Sequence, residues 1–163
     1  MREIYVLHVM SGMEMAVQER LKREGLTETI IPMEERLERC RGDWTTRKRL
    51  LMPGYVFVYL DMNTKEYYKA WNIPGVIQFL GAERPSALSE DEKMQMFWLY
   101  GDGGLFKPST IRGKPGGQIE VTDGPLVGHE KDIVKLDRHR KKAKVRMTFS
   151  GEPVELTVSA YFV

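Results

Sequence analysis

Met52-Pro53-Gly54-Tyr55-Val56-Phe57-Val58-Tyr59-Leu60 decides how the chain is read. It opens as a turn: proline fixes φ and removes a donor, and the glycine after it tolerates positive φ. The β-branched, aromatic and aliphatic run that follows suits a strand. Strict alternation puts Tyr55, Phe57 and Tyr59 on one face and Val56, Val58 and Leu60 on the other. The aliphatic set reads as the core side. The aromatic set is either a second buried surface, under a helix, or an exposed platform for a partner.

A chain of 163 residues holds one domain or two small ones. Its 42% hydrophobic and 29% charged content is ordinary for a soluble globular protein. A net charge of +2 is too small to mark a nucleic-acid partner, so any basic surface must be local. Cys40 is the single cysteine, which excludes an intramolecular disulfide and fits a reducing cytosol. The first ten residues carry Arg2, Glu3 and His8 and do not form a signal-peptide core. No apolar run approaches the roughly 18 residues a bilayer span requires. The expectation is a cytoplasmic monomer with no membrane contact.

Upstream of the central stretch, Ile4 to Val9 reads as a strand. Ser11-Gly12-Met13-Glu14 has capping-box spacing, and Met13, Ala16, Val17 and Leu21 form one helical face that stops near Gly25. Thr29 to Met33 is extended, with Pro32 as an edge or break. Charges crowd from Glu34 to Arg49 around a turn at Arg41-Gly42-Asp43-Trp44, as in a two-stranded hairpin jutting from a sheet. Those charges equally suit an edge protected against aggregation.

Downstream, Asn63 to Trp71 reads as a short helix and Val76 to Leu80 as a strand. Ser89-Glu90-Asp91-Glu92 opens a helix that runs to about Tyr100. The order β-α-β-β-β-α-β-α predicts an α+β fold over residues 1–100, not a doubly wound sheet. Residues 101–116, rich in glycine and proline, read as a flexible linker spanning roughly 20–25 Å. From residue 117 onward the period is two: Ile119 and Val121, then Ile133 to Leu136, then Ala143, Val145, Met147 and Phe149, then Val154, Leu156 and Val158. Several short strands within residues 117–163 predict a small β-barrel.

Catalytic chemistry is missing. His8, His129 and His139 lack metal-ligand spacing. The glycines at 101–104 lack the strand-to-helix context and following lysine of a phosphate loop. Cys40 has no local base. No catalytic residue, metal or cofactor is expected. The informative charge is Arg138-His139-Arg140-Lys141-Lys142-Ala143-Lys144-Val145-Arg146, with no carboxylate between Asp137 and Glu152. It starts in a hairpin turn and runs onto a strand whose outward face carries Lys144 and Arg146. Such a segment either neutralises phosphates with salt-dependent affinity, or is a solvated turn, or faces an acidic protein.

Met52 to Val58, followed by Asn72-Ile73-Pro74-Gly75-Val76-Ile77-Gln78-Phe79-Leu80-Gly81, resembles the two signature stretches of the NusG N-terminal (NGN) domain. Val121-Thr122-Asp123-Gly124-Pro125-Leu126 resembles the start of that family's C-terminal KOW domain. The three segments match in order and spacing along nearly the whole chain. The resemblance implies a ferredoxin-like antiparallel sheet with helices, then an SH3-like barrel. It implies a transcription elongation factor whose N-terminal domain binds the clamp helices of RNA polymerase and bridges the cleft, suppressing pausing.

The positions it assigns to polymerase are His8, Met52, Pro53, Gly54, Tyr55, Phe57 and Phe79, with Tyr67, Tyr68 and Lys69 facing the far side of the cleft. The first helix would lie near non-template DNA. Two departures point to a specialised paralogue: Ile4 stands where the family often has tryptophan, and Lys131 where the KOW turn has glycine. Arg138-His139-Arg140-Lys141 is similar to the LoaP group, and the whole resembles processive antiterminators of the LoaP and RfaH kind. That implies a barrel binding a structured RNA leader through Lys131, Lys135, Arg138, His139, Arg140, Lys141, Lys142, Lys144 and Arg146. The general factor, whose barrel meets Rho or the ribosome, is the alternative.

Overall fold

The computed structural model describes residues 2–163 except Ala82, and of Asp102 the backbone alone. β1 (Glu3–Val9) and α1 (Glu14–Arg23) lead into β2 (Thr29–Ile30), the long pair β3 (Met33–Cys40) and β4 (Asp43–Leu50), and β5 (Tyr55–Leu60). α2 (Thr64–Trp71), β6 (Val76–Phe79) and α3 (Glu90–Tyr100) follow. Then come β7 (Leu105–Phe106), β8 (Ser109–Gly113), β9 (Ile119–Asp123), β10 (Ile133–Asp137), β11 (Lys142–Phe149) and β12 (Glu152–Phe162). Among the described residues, three α-helices and several sheets make a mixed α and β fold. Four strands, not three, separate α1 from α2, because Pro32 divides the expected extended segment into the end of β2 and the start of β3. No helix among the described residues is long and apolar enough to cross a membrane.

Two compact units interleave along the sequence. The first contains the chain up to Ile31, Met52–Phe97 and Thr148–Pro153; the second contains Pro32–Leu51, Trp98–Met147 and Val154–Val163.

In the first unit an antiparallel sheet has the order β2-β5-β1-β6. β1 lies inside it, which is why Ile4, Tyr5, Val6 and Leu7 are all buried. Its register with β5 runs from Glu3↔Leu60 to His8↔Tyr55. Val17 and Leu21 of α1 are fully buried, as the helical spacing predicts. The capping box expected at Ser11 does not form: Met13 is the cap residue, without a side-chain bond. Gly12 turns the chain at φ +89°, and the Glu14 carboxylate instead accepts from the Gly54 N–H at 2.7 Å. Asn63 caps α2 by accepting from Glu66 N–H at 2.9 Å. At α3 the capping box is complete, with Ser89 N–H donating to Glu92 Oε1 at 2.9 Å and Glu92 N–H to Ser89 Oγ at 3.2 Å.

In the second unit a five-stranded sheet has the order β10-β11-β12-β8-β9, and a three-stranded one the order β4-β3-β7. Inward residues of β11 and β12 alternate as predicted: Ala143, Val145, Leu156 and Val158 are buried. The stretch 101–116 differs from the flexible linker expected of it. Leu105 and Phe106 pair with β3, and Ser109–Gly113 pairs with both β9 and the end of β12. Its alternation was short and framed by Pro108 and Gly113, so composition hid it; Ser109 and Ile111 point inward and are buried. Gly124 follows β9 at φ +98°, where an added Cβ would lie 2.5 Å from Ser109 Cα. Only glycine permits that approach.

Candidate functional site

The two faces of the first sheet differ. Residues paired across strands share a face, so Tyr55 stands with His8, Phe57 with Val6 and Tyr59 with Ile4. Val56, Val58 and Leu60 occupy the opposite face and are buried, as alternation predicts. The aromatic face is not the open platform that one of the two sequence readings allowed. Phe57 is 0% exposed, and its ring meets Phe149 edge to face. Phe149 begins a tip that is tied down by polar bonds. Ser150 Oγ donates to Ser86 O at 2.6 Å, Gly151 N–H to Glu92 Oε2 at 3.1 Å, and Gly81 N–H to Glu152 Oε2 at 2.6 Å.

The His8–Tyr55 end of that face stays open. The two rings stack with centroids 5.3 Å apart and planes at 21°, and both are half-buried. Gly54 makes this possible at φ +91°, and its carbonyl accepts from Val9 N–H at 2.8 Å. Pro53 is exposed beside them, whereas Met52 and Gly54 are buried and act as the frame of the turn. Gln78, paired with His8, continues the exposed edge.

Phe79 lies elsewhere. It pairs with Leu7, which puts it on the face opposite His8. There it is buried, stacked on Tyr67 at 5.5 Å and edge-on to Tyr5 at 6.1 Å. Tyr67 also stacks on Trp71 at 5.7 Å, so Phe79 packs beneath α2 against that helix's own Tyr67. Tyr68 is exposed, and Lys69 pairs with Glu66 at 3.1 Å. Both line an open groove of about 870 Å³ with Arg20, Arg23 and Lys65; Arg20 is fixed by donating to Pro74 O at 2.6 Å.

The second unit collects the basic run. Arg138 to Lys141 form the turn between β10 and β11, with Lys141 at φ +55° and Asp137 Oδ1 accepting from Arg140 N–H at 3.0 Å. The Arg138 guanidinium lies over the Phe162 ring at 5.2 Å, and Lys141 Nζ over the Trp44 ring at 5.3 Å. Lys144 stands opposite Lys135 on the outward face. Two of the expected residues do not join this cluster: Arg146 is paired with Glu155 at 3.2 Å, and Lys131 sits exposed in the separate helical turn 130–132.

Sequence reading missed the other half of the cluster. The β3–β4 hairpin brings Arg36, Arg39 and Trp44 to the same open cleft as His139, Arg140 and Lys142, with a volume of about 550 Å³. Glu38 also lines it, but Arg49 grips that carboxylate twice, at 2.7 and 3.0 Å, and holds its pKa below the usual range. Glu34 is buried beside Arg36 at 3.1 Å. Burial pushes its carboxyl up from the ordinary value, with Arg36 pulling the other way. The crowding of charge around Glu34–Arg49 was the available signal, but nothing local linked it to a turn a hundred residues on.

Among the described residues no group of three His, Cys, Asp or Glu side chains has the geometry to hold a metal. The family model described as "Transcription termination factor nusG" matches residues 2–97. The chain is 31% identical over 176 residues to "Transcription termination/antitermination protein NusG" of Thermus thermophilus, covering 96% of each chain. It is 30% identical to the protein of the same name from Pseudomonas aeruginosa, covering 95% of this chain and 94% of that one. The solved structure "Domain interaction in Thermotoga maritima NusG" shares the fold at a TM-score of 0.56 and 21% identity, covering 98% of this chain and 94% of that chain. These relatives are transcription factors, not enzymes. With more than half its length matched by one family model and near-full coverage by its relatives, the chain belongs to the NusG family.

Proposed function

We propose that this protein is a transcription elongation factor of the processive antitermination kind. On this reading an NGN-type region within residues 1–100 binds RNA polymerase, and a KOW-type barrel over residues 117–163, joined by the preceding strand Ser109–Gly113, binds RNA. The observation that carries the polymerase contact is the stacked, half-buried His8–Tyr55 pair beside exposed Pro53, at an open end of the sheet face that Phe57 and Phe149 close further in. Aromatic rings of low side-chain entropy suit the ridge of a two-helix clamp. Met52 and Gly54 hold the turn, and Phe57 supports it from within. Tyr68 and Lys69, in the basic groove with Arg20 and Arg23, face the far side of the cleft and the non-template DNA strand.

The barrel turn Arg138-His139-Arg140-Lys141 supports an RNA partner, a structured leader, over a protein one: its cations are concentrated and mostly unpaired with carboxylate, the pattern that releases counterions from phosphates. That favours a specialised paralogue of the LoaP or RfaH kind over the general factor. Two experiments test the proposal. The full chain should retain core polymerase on an affinity column and lose it when Tyr55 is changed to alanine. It should bind a transcribed leader RNA with affinity that falls as salt rises. Polymerase retention unmoved by Tyr55→Ala would overturn the first half, and ribosomes eluting in place of RNA would restore the general-factor reading.

A further inference from the structure

From Glu35 outward, β3 has β4 on one edge, while β7 pairs with the other edge only at Met33 and Glu34. The Leu37 N–H on that freer edge donates to Ser159 Oγ at 2.9 Å, which satisfies the backbone without closing the space beside it. The cleft of about 550 Å³ lies here. Its size falls within the range of roughly 300–1,000 Å³ typical of small-ligand sites.

The lining has an unusual charge balance. Arg39 and Lys142 have no carboxylate within ion-pair distance among the described residues, and Arg140 has only Asp137, at 3.9 Å. The one acid on the wall, Glu38, is neutralised by Arg49. Trp44, paired with Arg39 across the hairpin, presents a half-exposed indole to the same space, and a cation, Lys141, already rests on its ring. An aromatic platform beside Arg39 and Lys142, which have no ion-pair partner among the described residues, in an open groove, suits unpaired bases with their phosphates.

We infer that this cleft is a composite site for an unpaired stretch of RNA, in which the hairpin supplies as much of the surface as the barrel turn does. A base stacks on Trp44 in place of the Lys141 ammonium. The flanking phosphates engage Arg39 from the hairpin and Arg140 and Lys142 from the turn. Openness to solvent on one side lets the strand enter and leave, so the site takes a looped-out segment and not a free nucleotide. The inference rests on the reading of the barrel as an RNA binder and adds the hairpin to it.

The test uses the full chain and a fluorescein-labelled RNA stem with a randomised loop, compared with a fully paired RNA duplex of equal length. Anisotropy should show the native protein preferring the looped RNA. Trp44→Ala and Arg39→Ala should each weaken looped-RNA binding about tenfold and leave duplex binding unchanged. Arg39→Ala should also reduce the slope of log affinity against log salt by about 0.7, the share of one single-strand phosphate. Trp44→Phe, which keeps a ring, should hold near-native affinity and confirm that the alanine effect is not misfolding. If both hairpin variants bind as the native chain does, while Arg138, Arg140, Lys141 and Lys142 replaced together by alanine abolish binding, the hairpin has no part and the barrel reading survives alone. If the native chain binds neither RNA, both fall.

Discussion

Phe149 meets Phe57 edge to face, with ring centroids 5.3 Å apart and planes at 76°, and neither side chain is exposed to solvent. The residue that the family resemblance assigned to the polymerase-facing set is thus half of an internal pair.

That pairing separates two substitutions which the sequence treats as equivalent. Phe57→Ala removes a fully buried ring and should cost about 3–5 kcal/mol of stability. Tyr55→Ala removes a half-exposed ring and should leave the fold intact, while lowering polymerase affinity by about 2 kcal/mol or more, as truncated aromatic anchors do. Denaturant midpoints and polymerase co-purification, measured on both variants, distinguish surface from support.

Phe149→Ala tests the cover itself. It should loosen the tip from Phe149 to Glu152, seen as faster amide exchange there, and expose Phe57. If Phe57 belongs to the polymerase-binding surface, this variant binds core polymerase more tightly than the native chain. Equal or weaker binding would confine the contact to His8, Pro53 and Tyr55.

Glu34 sets a pH dependence. Burial raises its carboxyl pKa in the folded state, and Arg36 opposes the shift without cancelling it. The folded protein therefore keeps that proton to higher pH than the unfolded chain does. The stability this contributes is fully present below the ordinary carboxylate range and is lost as pH rises through the raised value. Glu34→Gln should flatten this part of the profile from the ordinary carboxylate range upward, with no loss of stability above the raised value. Guanidinium midpoints across that range are the measurement; a variant whose slope matches the native one would show that Glu34 is not responsible.

Gly124→Ala should destabilise the second unit by about 2 kcal/mol or more, because positive φ and a blocked Cβ position act together. The clash falls on Ser109, whose hydroxyl accepts from Leu126 N–H at 2.9 Å, next to Pro125, which accepts from the Trp98 indole at 3.1 Å. Thermal unfolding followed by tryptophan emission reports it directly.

Local rules carried most of the secondary structure. The strand at Tyr55–Leu60, the Asn63 cap, the Ser89–Glu92 box and the alternation along β11 and β12 all depend on neighbours within a few residues, and such signals are written in order along the chain. The failures share a cause. At Ser11 the box had the right spacing, but Glu14 found a better donor, Gly54, forty residues away. Phe79 sat in a strand beside His8, yet its face was set by register with Leu7 and by the ring of Tyr67. Phe57 was hidden by Phe149, and Arg39 came to share a cleft with Arg140, through folding that no window of sequence contains. The surface of a fold is decided by its longest-range pairs, which is why the basic turn was legible and its partner hairpin was not.

The two oxygens of Glu92 serve different masters. One caps the first turn of α3 through Ser89 N–H, and the other holds Gly151. Fraying at the head of that helix and lift-off of the loop are therefore a single event, mechanically linked through one rigid carboxylate. Lesions at Ser89 and at the loop should fail to add when combined, and whatever pries up one end will be felt at the other.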